Sequence, residues 1–318
     1  MVYFFLIVGF LLLWFGSALV QRGGAGLVTK LRLPQILVSL VVVSLAMSAP
    51  ELSVAIQGVR SGMPDMALGT IIGGSLANLL LVIGLGALIA PMPAPPRTVF
   101  RDSATLVVVS LAVMALLLAN SVNRIAGYVL VGAWLFYLVL AYVTELGRPQ
   151  QSFAIDPDVA NRRDSATLSV FLACVGVAAL FFGARYTVDF AALAARLLHV
   201  PTASMALVVV AFGTTIPELS ATITSARRGY SFAATAQLLA SCIFNLLLVL
   251  GVVAVMHPPA ISSMLAHFAA PLLAGTAFVV ALFMLFGWRI SRPQGFVLFA
   301  GYIGLLATVC WRSGLFRG

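Results

Sequence analysis

The chain has 318 residues, 62% of them hydrophobic and 8% charged, against roughly 25% charged in a soluble globular protein, so the composition excludes a soluble domain and reads as a polytopic membrane protein. The net charge is +9, but the arginines and the single lysine are scattered at the ends of apolar segments, which argues against a nucleic-acid surface. Cys174, Cys242 and Cys310 lie in separate apolar segments without CxxC spacing, which supports neither a disulfide framework nor a thiolate metal site and predicts buried free thiols.

At about 20 apolar residues per crossing, the sequence predicts helices over 2–20, 35–59, 65–90, 103–120, 124–144, 166–187, 202–226, 231–256, 264–287 and 294–312. The first has no basic residue ahead of it and matches 166–187, so it reads as a retained helix rather than a signal peptide. The fold expected is an all-α polytopic membrane protein of ten transmembrane helices. Residues 1–145 form a first five-helix half, 146–164 a polar linker and 165–318 a second half. Asp156 and Asp158 in the linker lack EF-hand spacing and read as surface charges. An odd number of helices per half makes the second half enter the membrane from the opposite side, so the halves form an inverted repeat. Counted by side, 12 basic residues including Arg22, Lys30, Arg227 and Arg228 face 6 including Arg60, Arg124 and Arg312. The richer side is expected to be cytoplasmic, which puts the linker inside and both termini outside the cell membrane.

The repeat is visible residue by residue. Ser48-Ala49-Pro50-Glu51-Leu52-Ser53 returns as Thr215-Ile216-Pro217-Glu218-Leu219-Ser220. The offset between Glu51 and Glu218 also carries Asn78 onto Asn245, Pro34 onto Pro201, Arg60 onto Arg227 and Gly84 onto Gly251. Glu51 and Glu218 fall near mid-span, while the other acidic residues lie in loops or near helix ends. A charge at the bilayer centre costs about 3 kcal/mol on insertion scales, so an unpaired pair at matched positions points to a cation site. The proline before each glutamate has no amide donor and frees carbonyls of the preceding turn, which predicts discontinuous helices at the midplane. Inverted symmetry brings together the oxygens of Ser48, Glu51, Thr214, Thr215, Glu218 and Ser241 and the amides of Asn78 and Asn245. Oxygen-only ligands suit calcium or sodium rather than zinc or copper. Gly73-Gly74 and Ala240-Ser241-Cys242 precede the two asparagines and allow close helix approach. His199, His257 and His267 read as interfacial residues.

These motifs resemble the cation/calcium antiporter superfamily, to which the sodium/calcium exchangers belong, whose repeats carry G-T-S-x-P-E followed by G-S-N-x-x-N/D. Gly213-Thr214-Thr215-Ile216-Pro217-Glu218 matches the first with Thr for Ser, and the resemblance covers essentially the whole chain. It implies a five-plus-five inverted fold with alternating access, and Glu51 and Glu218 as ligands shared by calcium and sodium. Thr214 and Ser241 would complete a sodium site in the second half. The first half departs from the pattern: Ala46-Met47-Ser48 stands for Gly-Thr-Ser and Gly73-Gly74-Ser75 for Gly-Ser-Asn, so Met47 and Gly74 replace hydroxyl ligands. Asn245 stands where many exchangers carry Asp. The function expected is antiport of calcium against sodium, with inorganic cations and the lipid bilayer as partners, no cofactor and no nucleic acid. Proton-driven or potassium-assisted exchange is the alternative, then a channel. An enzyme is not expected, since there is no His-based zinc motif and no nucleophile with its base.

Overall fold

A computed structural model describes residues 1–31, 47–94, 96, 98–145, 165–229, 231–259 and 261–314. The predicted linker at 146–164 and residues 35–46 of the second predicted helix lie outside them. The described elements are α1 (Val2–Leu31), α2 (Ala49–Arg60), α3 (Pro64–Ile89), β1 (Met92–Pro93), α4 (Val99–Leu118), α5 (Arg124–Glu145) and α6 (Ala166–Leu197). They continue with α7 (Thr202–Thr214), α8 (Ile216–Arg227), α9 (Ala234–Met256), α10 (Leu265–Leu285), β2 (Arg289–Ile290) and α11 (Arg292–Arg312). Eight of the described helices are continuous and long and apolar enough to cross a bilayer. The pair α7 and α8, bent by 44° at Thr215, is long and apolar enough to count as a ninth if taken together as one span.

The protein is a multi-pass membrane protein, and lipid-facing and core-facing helices separate clearly. Of the apolar stretch in α3, 89% is buried, and of that in α9, 83%, against 22% in α5 and α6. Thus α3 and α9 form the centre, and the outer helices turn Phe4, Ile7, Leu11, Phe136 and Phe171 outward. Hydrocarbon and protein core are equally apolar solvents for such side chains, so outward-facing leucines and phenylalanines cost nothing. The same fact corrects the expectation for the thiols: Cys242 is buried, but Cys174 is exposed on α6 and Cys310 is half-buried.

The expected ends of two helices also need correction, because α1 runs to Leu31 and α6 to Leu197 rather than stopping at 20 and 187. Charged residues end an apolar window without ending the backbone hydrogen-bond ladder. Arg185 and Asp189 pair across one turn at 3.8 Å, both half in solvent. The two long helices run antiparallel with touching backbones. A Cβ on Gly16 would meet the Gly176 carbonyl at 2.9 Å, and one on Gly176 would meet the Gly16 carbonyl at 2.8 Å. Gly9 faces Gly183 and Thr187, and Gly23 faces Ser169 and Ala173. The α1–α6 pair builds its own apolar layer with Val54, Met66, Met205 and Val210, lying against α2, α3 and α7.

Other contacts cross between the halves in reciprocal fashion. The end of α3 meets α11 through Gly84 and Gly295, and the end of α9 meets α5 through Gly251 and Gly127. Both central helices widen at their asparagines, where the amide of Ile83 reaches the carbonyl of Asn78 and the amide of Leu250 that of Asn245, each five residues back. Such wide turns recur at functional sites because they turn a carbonyl or side chain out of the regular ladder. One edge of the bundle carries a two-residue antiparallel ribbon, Met92 against Ile290 and Pro93 against Arg289. At the start of α4, the buried Asp102 is held by Arg101 at 2.6 Å and by the Tyr137 hydroxyl at 3.1 Å, while Arg101 also donates to Thr144 at 2.9 Å.

Candidate cation site

The bend at Thr215 follows from local sequence. Pro217 has no amide to offer the carbonyl of Gly213, so the ladder of α7 breaks and α8 begins afresh with Pro217 and Glu218 in its first turn. Thr215 Oγ1 bonds back to the Ala211 carbonyl at 2.5 Å and Thr214 Oγ1 to the same carbonyl at 3.1 Å, which ties off the end of α7. In α2, Pro50 and Glu51 likewise occupy the first turn after Ser48. The aromatic ring of Phe10 on α1 lies directly on Gly213, where any Cβ would collide with it.

Each glutamate therefore lies in the first turn of a short helix, whose N-terminal amides favour negative charge. The eight residues singled out from the sequence come together. Ser48, Glu51, Asn78, Thr214, Glu218 and Asn245 are fully buried, and Thr215 and Ser241 are 1% exposed. The carboxyls of Glu51 and Glu218 face each other, with Thr214 beside Glu51 and Ser241 beside Glu218. None of their four oxygens has a hydrogen-bond partner, and among the described residues neither carboxyl forms an ion pair. A buried carboxylate left in this way is costly unless a proton or a cation compensates it. Among the described residues no three His, Cys, Asp or Glu side chains are grouped so as to hold a metal ion, and the acidic groups at this place are Glu51 and Glu218.

The neutral polar groups around the glutamates are unevenly paired. Ser48 and Ser241 hydroxyls are 2.9 Å apart, and Asn78 Nδ2 donates to Ser241 Oγ at 3.3 Å. The repeat partner of Ser241 is Gly74, so Asn245 finds no hydroxyl opposite it and both of its amide atoms are unpaired. A Cβ at Gly74 would sit 3.8 Å from Asn245 Nδ2 and 4.0 Å from Glu51 Oε1, where a serine hydroxyl would complete the symmetry. Gly73 is different, since a Cβ there would drive into Leu207 and Ala211 of α7. The Cys242 thiol points at the carbonyl of Ser75, its own repeat partner 167 residues earlier, at 3.7 Å.

Profile comparison with protein families matches residues 1–143 and 168–311 to the sodium/calcium exchanger protein family. The chain belongs to that family. It is similar to the inner membrane protein YrbG of Escherichia coli, at 28% identity over 97% of this chain and 96% of that protein. It is likewise similar to the sodium/calcium exchanger MaX1 of Methanosarcina acetivorans, at 24% identity over 96% and 97% of the two chains. Among solved structures, the sodium-calcium exchanger NCX_Mj superposes with a TM-score of 0.69 at 22% identity, covering 97% of this chain and 99% of that one. The likeness in structure is one of fold. This family member is a transporter with an all-helical membrane fold.

Gln237 escaped the sequence reading. It sits one turn before Ser241 on α9, and its amide contacts the thioether of Met47. A glutamine inside an apolar span was the available signal, of the same kind that picked out the asparagines.

Proposed function

We propose that the protein is a secondary antiporter that exchanges calcium for sodium across the cell membrane by alternating access. The observation that carries this reading is the buried pair Glu51 and Glu218, each in the first turn of a short helix and each without a partner. Two facing carboxylates neutralise one divalent or two monovalent cations, and only one such load fits at a time. The names of MaX1 and NCX_Mj as sodium/calcium exchangers agree with it. In this reading Glu51 and Glu218 are the shared ligands, Ser48, Thr214, Thr215 and Ser241 supply hydroxyls, and Asn78 and Asn245 supply amide oxygens.

The architecture behind it is ten helices in two inverted halves, 1–145 and 165–318, joined by a cytoplasmic linker at 146–164. The reciprocal glycine pairs, the matched wide turns and the contact between Ser75 and Cys242 support a two-fold axis in the membrane plane. Calcium uptake into sealed vesicles, driven in turn by sodium, potassium and proton gradients, tests the function. Uptake driven by sodium is expected; calcium flow without any counter-ion gradient would indicate a channel instead. A second reading, proton-driven exchange, is favoured by one observation: Met47 and Gly74 strip hydroxyls from the first half, and protons need no such shell. The same experiment separates the two. Both termini are proposed to lie outside, so a membrane-impermeant reagent should fail to label a cysteine at Gln151 in intact cells; labelling there would reverse the orientation.

A further inference from the structure

The two halves differ in what leads away from the glutamates. Between α8 and the first turns of α9 lies a small open pocket with room for about one water molecule, lined by Thr222, Ser225 and Gln237 beside Met47, Ala221, Ala234 and Leu238. Thr222 and Ser225 follow Glu218 by one and two turns of α8, and Gln237 precedes Ser241 by one turn of α9, so these polar side chains share helix faces with the site. Exposure rises outward: Thr222 is 2% exposed, Ser225 is half-buried, and Arg227 and Arg228 beyond it are exposed. The matching positions of the first half are Ala55, Gly58 and Thr70. Ala55 and Thr70 are fully buried, and a Cβ on Gly58 would lie 3.3 Å from the backbone of Ala67. That face is sealed by packed helices.

At the head of the lane stands Met47, 4% exposed. It is next to Ser48, whose hydroxyl meets Ser241, and its sulfur touches the amide of Gln237. Its repeat partner is Thr214. A thioether is a poor ligand for a hard cation but a flexible apolar plug with three rotatable bonds. An amide oxygen and two hydroxyls, by contrast, can stand in for part of a hydration shell.

We propose that this lane is the passage by which the cation enters and leaves the Glu51–Glu218 centre on the Arg227–Arg228 face, with Met47 as its gate and Gln237 as the first ligand beyond it. The proposal rests on the antiport reading for the identity of the traffic, and on the pocket and its lining for the route.

The test uses the full chain in membrane vesicles, with Cys174, Cys242 and Cys310 replaced by alanine and single cysteines introduced at Ser225 or Ser241. The probe is a small cationic methanethiosulfonate applied from the Arg228 face. Ser225→Cys is expected to label readily, and its modification to block calcium exchange. Ser241→Cys is expected to label slowly, and at least tenfold faster when Met47→Ala is added. Met47→Leu, which keeps the bulk, should leave that rate unchanged. Met47→Thr, which carries the residue of the second half, serves in place of Met47→Ala if the alanine variant does not fold. In the labelling alone, either of two outcomes overturns the lane: Ser225→Cys inert from this face, or Ser241→Cys labelling indifferent to Met47. The labelling rates need no transport, so failure of the antiport reading appears separately, as vesicles of the unmodified chain that show no counter-transport. Exchange that survives full modification of Ser225→Cys overturns the route and leaves antiport standing.

Discussion

Asn78 and Asn245 occupy the same place in the two halves, open the same wide turn and are equally buried, yet one is bonded and the other is not. The difference lies across the interface rather than in either asparagine: Asn78 meets the Ser241 hydroxyl, and Asn245 meets Gly74. A buried amide without a partner costs on the order of 1–3 kcal/mol, and a membrane interior offers no water to make up the loss. Duplicated halves therefore need not be functionally equal. Here both halves carry the glutamate, while the hydroxyls of Thr214 and Ser241 have no counterpart at Met47 and Gly74.

The strongest way to break this comparison is to attack what the halves share. Glu51→Gln and Glu218→Gln should each abolish calcium exchange, because removing one charge from a buried site that binds a divalent ion forfeits about 3–5 kcal/mol, a loss of at least two orders of magnitude in calcium affinity. Equal loss in both, measured as radiolabelled calcium uptake, is expected. A half-active variant would mean that one glutamate is a bystander.

The next test sharpens the asymmetry. With Asn245 neutral, the centre holds two negative charges, and two monovalent cations per calcium make an electroneutral cycle. Exchange in voltage-clamped vesicles should not respond to potential. Asn245→Asp combined with Gly74→Ser adds a charge and a hydroxyl, and should admit a third monovalent cation. One net charge per cycle is worth about 2.3 kcal/mol per 100 mV, on the order of a 50-fold shift in the calcium gradient sustained. A voltage response in the unmodified protein would show that a third cation binds despite the missing ligands.

A smaller effect should come from making the second half resemble the first. Ser241→Ala unpairs both Asn78 and Ser48 and should lower stability in detergent by about 1–3 kcal/mol, read as a drop in Tm. The adjacent glycines should differ: Gly73→Ala forces α3 off Leu207 and should cost a comparable amount, about 1–3 kcal/mol, whereas Gly74→Ala, the smallest effect, meets only ordinary contacts and should leave Tm nearly unchanged.

Much of the site was legible because charge and amide are rare in an apolar chain: Glu51, Glu218, Asn78 and Asn245 announce themselves against their surroundings, and the common offset pairs them. The bend at Thr215 followed from Pro217. What stayed hidden depends on who faces whom. The partner of Asn245 is set by a residue of the other half, and the contact between Gln237 and Met47 joins residues 190 apart. The true lengths of α1 and α6 were hidden because Arg22 and Arg185 interrupt the apolar pattern without interrupting the helix. The exposure of Cys174 was hidden because lipid and protein interior look alike to a hydropathy scale.

The two-residue ribbon is a slight structure, but its position matters mechanically. It ties the loop after α3 to the loop before α11, with Ala94 N bonded to the Trp288 carbonyl at 2.8 Å and Arg292 reaching the Ile89 carbonyl at 3.3 Å. Loops joined in this way cannot separate or shear freely, so any relative movement of α3 and α11 has its fulcrum at that edge. Displacement about a fulcrum grows with distance from it, being least beside Met92 and greatest at the far ends of the same helices. The knot converts a sliding freedom into a lever, and it fixes which end of the lever stays still.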